Sequence, residues 1–122
     1  MISKRKQLVT RYFDGFRRGD HDAILGCLTE DVVWDLPGFR HLEGRVAFDG
    51  EIENDAFEGP PRLEVDRLVE EGDVVVAIGS GRSQRKDGVE FRFAFADAFT
   101  FREDAISRVE SYLVRLDQGL SS

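Results

Sequence analysis

The chain has 122 residues, 41% hydrophobic and 34% charged, which suits one domain spanning 1–122 with a real core and leaves too little for two. A formal net charge of −7 and a pI near 4.8 set most of the surface against a phosphate backbone, so nucleic acid is not an expected partner. No apolar run approaches the roughly 20 residues that span a bilayer, and a single cysteine, Cys27, allows no internal disulfide. Cys27 reads as a small buried apolar residue.

The basic start Lys4-Arg5-Lys6 is followed by Arg11, Asp14 and Arg17 rather than by the apolar stretch of a secretion signal, so a cytoplasmic location is expected. Leu8, Val9, Tyr12, Phe13 and Phe16 fall at helical spacing, which predicts an amphipathic helix over 4–18 ended by Gly19. Asp20 is the N-cap of a short second helix carrying Ile24, Leu25 and Leu28. Asp31 to Leu36 is β-branched and aromatic, a strand stopped by Pro37-Gly38. Phe48, Ile52 and Ala56 suggest a third helix between Gly44 and Phe57, closed by Pro60-Pro61.

Beyond this point the apolar period changes to two: 63–69, 74–85, 89–102 and 106–116, with turns at Glu71-Gly72-Asp73, Asp87-Gly88 and Glu103-Asp104. Three helices followed by an antiparallel meander with one earlier strand make an α+β arrangement, the helices covering the apolar face of a curved sheet. Gly79-Ser80-Gly81 lies inside a strand, where glycine marks a bend and not a phosphate loop. Two histidines and scattered acids show no metal-ligand spacing.

The strand FRFAFADAFTF, residues 91–101, puts Phe91, Phe93, Phe95, Asp97, Phe99 and Phe101 on one face and Arg92, Ala94, Ala96, Ala98 and Thr100 on the other. With a two-residue turn at Asp87-Gly88, Asp97 would face Ile78, and Arg82 would share the phenylalanine side. An acid in such a setting should have its pKa raised by desolvation, and its neutral form can donate a hydrogen bond to a ligand oxygen. The competing reading is a structural aspartate bonded to a tyrosine, to the Trp34 indole or to backbone. The flat alanine face suits packing against another flat surface.

Arg11-Tyr12, Arg18-Gly19-Asp20-His21-Asp22, Leu28-Thr29-Glu30-Asp31-Val32-Val33-Trp34, Pro37-Gly38 and Leu42-Glu43-Gly44 together resemble the superfamily of ketosteroid isomerase, SnoaL-like cyclases and the nuclear transport factor 2 domain. The resemblance covers nearly the whole chain. It implies a cone-shaped fold, three helices packed on a strongly curved, mainly antiparallel sheet with an interior pocket, and a homodimer through the outer sheet face. In the isomerase branch a helix tyrosine and a strand aspartic acid form an oxyanion hole, and these match Tyr12 and Asp97. The position of that branch's base matches Leu36, and the nearest carboxylate is Asp35, which would point away from the pocket unless a bulge re-aims it. His41 is the other candidate proton carrier.

The implied activity is a cofactor-free isomerase or cyclase acting on a small apolar carbonyl compound, with a non-catalytic binder as the alternative. Such a pocket, of about 300 to 1,000 Å³ for a drug-sized ligand, would be walled by Phe16, Trp34, Leu36, Phe39, Phe48, Ile52, Phe57, Phe93, Phe95 and Phe99. Ser111 and Tyr112 on the last strand also approach Asp97, with the inward one of the two left open.

Overall fold

The computed structural model describes residues 2–53 and 57–116. Helix α1 (Lys4–Arg18) starts where the Ser3 hydroxyl accepts the Lys6 N–H at 3.1 Å and stops at Gly19, whose φ of 64° is the left-handed value that glycine adopts without steric cost. Its inward face is the expected one: Val9, Tyr12, Phe13 and Phe16 are buried. The Asp20 carboxylate accepts the Ala23 N–H at 3.1 Å and opens α2 (His21–Leu25), as its N-cap position requires.

Strand β1 (Leu28–Leu36) begins three residues before the expected Asp31, so Leu28 belongs to the sheet and not to the second helix. Gly38, at φ 85°, turns the chain into β2 (Arg40–Glu43), a short polar strand whose sequence carries no alternation to announce it. Helix α3 (Arg45–Glu51) is shorter than the expected 44–57: Phe57 opens the next strand, and Ala56 lies outside the described residues. Pro60 and Pro61 sit within β3 (Phe57–Glu71) and do not close a helix. They are tolerated because β3 is an edge strand whose register against its neighbour shifts between Glu58 and Arg62.

Strands β4 (Val74–Arg85), β5 (Glu90–Arg102) and β6 (Ala105–Arg115) complete one six-stranded mixed sheet in the order β2-β1-β6-β5-β4-β3. All neighbours are antiparallel except β1 and β6, which run parallel. The result is an α+β fold with three helices, one of them a single short turn, on one face of the sheet.

One register differs from expectation. Arg85 and Val89 close the β4-β5 turn (Arg85 N–H to Val89 O, 2.9 Å) around a three-residue loop that ends at Gly88 with φ 90°. The extra residue moves Asp97 from Ile78 to Ala77, and it moves Arg82 to the outer face opposite Arg92. Opposite the phenylalanines therefore stand small residues: Gly81 faces Phe93, Gly79 faces Phe95 and Ala77 faces Asp97. A Cβ on Gly79 would lie 2.0 Å from the Glu64 carbonyl oxygen, so only glycine lets β3 approach there.

Candidate functional site

The alternation along β5 is strict, with Phe93, Phe95, Asp97, Phe99 and Phe101 buried against the helices and the residues between them turned outward. Phe13 of α1 stacks on Phe95 at 5.5 Å between ring centroids, and Tyr12 meets Phe99 edge-on at 5.0 Å, which brings the tyrosine to the same inner region as Asp97. Across the sheet Trp34 stacks on Phe48 at 4.4 Å and directs its indole N–H to the Ser111 hydroxyl at 3.0 Å. The indole bond is made to Ser111 and not to Asp97.

Ser111 is the cross-strand partner of Asp97, and its hydroxyl, having accepted from Trp34, keeps its own proton free to point toward the carboxylate. Tyr112, one residue on, faces outward and is half exposed, its hydroxyl donating to Glu110 at 3.1 Å.

Asp97 is 9% exposed, and its Oδ1 is fully buried with no hydrogen-bond partner among the described residues. Burial pushes its pKa up to about 7, and the Ser111 hydroxyl offsets part of that rise. The Tyr12 hydroxyl is held well above its ordinary value, first by burial and then by the Asp97 charge, so it stays a proton donor. No hydrogen bond joins the two groups. Both line a cavity of about 130 Å³ together with Phe13, Phe16, Trp34, Leu36, Pro61, Leu63, Phe93, Phe95, Ser111 and Leu113.

The cavity thus gathers Tyr12, Asp97, Phe16, Trp34, Leu36, Phe93 and Phe95 from the expected set. Phe48 and Phe99 are wholly buried and pack behind it. Ile52 and Phe57 line an adjoining cavity of about 120 Å³ that shares Phe16 and Pro61 with the first. Phe39 is 74% exposed on the turn after β1 and walls nothing. Phe13, Pro61, Leu63 and Leu113 are additional lining residues. Leu113 sits two places from Ser111 on one face of β6, but the face could not be chosen without the register.

Asp35 and His41 lie on the outer side of the sheet. They are cross-strand partners on β1 and β2, and Asp35 bonds both the His41 Nδ1 and the Arg108 guanidinium. Those contacts hold the Asp35 carboxyl below the ordinary range, the bond to His41 contributing most, while Asp35 and Glu43 together raise His41. No bulge turns Asp35 inward. His21 is set between Asp49 (2.5 Å) and Glu53 (2.8 Å) and ties α2 to α3 and the segment after it. Among the described residues no group of three His, Cys, Asp or Glu could hold a metal ion, and no helix is long and apolar enough to cross a membrane.

The three-helix, six-stranded α+β fold is that of the nuclear transport factor 2-like class, to which ketosteroid isomerase-like folds belong. Within it, residues 9–109 match the SnoaL-like domain, and the chain belongs to that family. It is similar to the structure of a candidate polyketide cyclase of Xanthomonas campestris pv. campestris, with 29% identity over 90% of this chain and 92% of that one and a TM-score of 0.75. It is also similar to TerC co-crystallized with polyporic acid (24% identity, 89% and 90% covered, TM-score 0.80). A nuclear transport factor 2-like protein of Burkholderia pseudomallei shares the fold at 21% identity, 93% and 92% covered, with a TM-score of 0.82. No curated protein matches the sequence.

Proposed function

We propose that this chain binds a small, largely apolar carbonyl or hydroxyl compound in the Asp97 cavity and, in its catalytic form, moves a proton on that compound as a cofactor-free isomerase or cyclase. One observation carries the reading: a buried carboxyl oxygen without a partner borders an apolar cavity. An orphan of this kind costs roughly 1 to 3 kcal/mol or more, and a ligand oxygen that accepts from the protonated acid removes the cost. Tyr12 is the second donor to that oxygen, as in an oxyanion hole.

With its pKa near 7, Asp97 is populated in both protonation states at neutral pH, the condition that suits an acid-base group. The cavity wall supplies no other carboxylate or imidazole among the described residues, so proton transfer falls to Asp97 itself, with Asp35 and His41 engaged on the outer face. The same scarcity favours the second reading, a binder without turnover.

A volume of about 130 Å³ compares with the roughly 150 Å³ cavity that accepts benzene, so the expected ligand places one ring beside Asp97. The cone-like wrap of the sheet and pairing of two copies through its outer face belong to the same reading.

The test is titration of a small phenol, as an enolate mimic, into wild type, Asp97→Asn and Tyr12→Phe. Loss of one charge-assisted bond should weaken binding about tenfold or more in Asp97→Asn and less in Tyr12→Phe. Equal affinity in all three proteins removes the oxyanion contact from the reading.

A further inference from the structure

The outer face of the sheet carries a groove that shares only Leu63 with the cavity. Arg62, Arg82 and Arg92 are direct cross-strand partners on β3, β4 and β5, so three guanidinium groups rise side by side from neighbouring strands roughly 4.8 Å apart. All three are exposed, and none has an ion-pair partner among the described residues. They line a groove of about 320 Å³ with Ser80, Gly81, Leu63, Leu116 and Glu64. Glu64 is the only carboxylate among the described residues that line it, and it pairs with none of the three.

Like charges placed directly opposite in a sheet destabilise it, and here three stand in one row of a chain whose net charge is −7. Two other exposed arginines at this end of the sheet are engaged, Arg85 with Asp87 and Arg115 over the Phe91 ring. Among the described residues the row has no counter-charge paired to it. We propose that the Arg62-Arg82-Arg92 groove binds a multiply charged oxyanion, a phosphate or polycarboxylate group. Planar guanidinium forks match such oxygens two at a time, and the Ser80 hydroxyl adds a donor at the groove wall. The groove is short and the chain as a whole carries a net charge of −7, which fits a small anion and not a nucleic-acid backbone.

The site is tested with inorganic pyrophosphate, phosphate and citrate against sodium chloride at matched ionic strength, by calorimetry and thermal unfolding of the whole chain. Pyrophosphate should raise the unfolding midpoint beyond the chloride control, because a ligand that binds only the native state stabilises it. Arg82→Gln should lower the pyrophosphate affinity by roughly ten- to a hundredfold and raise the midpoint without anion, since it removes the central repulsion. Arg102→Gln, outside the groove, should leave the affinity unchanged. Equal shifts with pyrophosphate and chloride, or undiminished affinity in Arg82→Gln, would overturn the proposal. So would an Arg82→Gln variant whose only defect, by sedimentation, is weaker self-association, because the row would then belong to an interface between copies.

Discussion

Asp97 couples folding to pH in a direction opposite to that of most carboxylates. Its folded pKa of about 7 lies above the unfolded value, so the folded chain holds the proton more tightly. The stability it supports is complete below about pH 4 and is lost as pH rises through 7, a total of about 4 kcal/mol for a rise of some three units. Asp97→Asn should therefore flatten the decline between pH 4 and 7 and exceed wild type in stability at pH 8. Denaturant midpoints for both proteins across that range measure the difference, and parallel curves would contradict the burial argument. A ligand that accepts the Asp97 proton should shift the wild-type decline to higher pH.

Strands explain how the cavity keeps its room. Ala77, Gly79 and Gly81 stand opposite Asp97, Phe95 and Phe93, so β4 leaves space for the large side chains of β5 and lets β3 close over it. Gly79→Ala must displace the Glu64 carbonyl from 2.0 Å, a backbone shift that should cost about 3 kcal/mol. Gly81→Ala meets only the ends of Phe93 and Leu63, at 2.5 and 2.9 Å, and should cost about 1 kcal/mol while driving both into the cavity and weakening phenol binding. Unfolding midpoints and titration of the two variants separate these effects.

Much of this element structure was legible in the sequence, because period and caps are local. The α1 face, the Asp20 cap of α2, the span of β4 and the two faces of β5 follow directly from residue type and spacing. What was not legible depended on counting across a turn. One residue in the Lys86-Asp87-Gly88 loop decides whether Arg82 faces the cavity or the outer groove, and no local preference near Arg82 records it. The polar strand β2 forms because β1 offers it an edge, and Phe57 is a strand residue because β4 pairs with it.

At the scale of the molecule, the outer face is an apolar centre with charged ends. Ala94, Ala96 and Ala98 are flanked by Val76, Ile78, Tyr112 and Val114, the last 64% exposed. Pairing of two copies over this centre would bury it. Wild type is expected to sediment as a dimer at micromolar concentration, and Ala96→Glu, placing a carboxylate amid the patch, should yield a monomer of 13.8 kDa with phenol affinity retained. A wild-type monomer would end the dimer reading.

The parallel pairing of β1 with β6 has a kinetic side as well. Leu28 must wait for Ile106, and Trp34 for Val109, before the sheet can close, so the longest-range strand pairing of the fold is also among the last to become available as the chain is synthesised. The Trp34-Ser111 bond beside Asp97 belongs to that closure. Trp34 is the chain's one tryptophan, so its fluorescence is expected to report the docking of β6, whose Ser111 and Leu113 line the cavity.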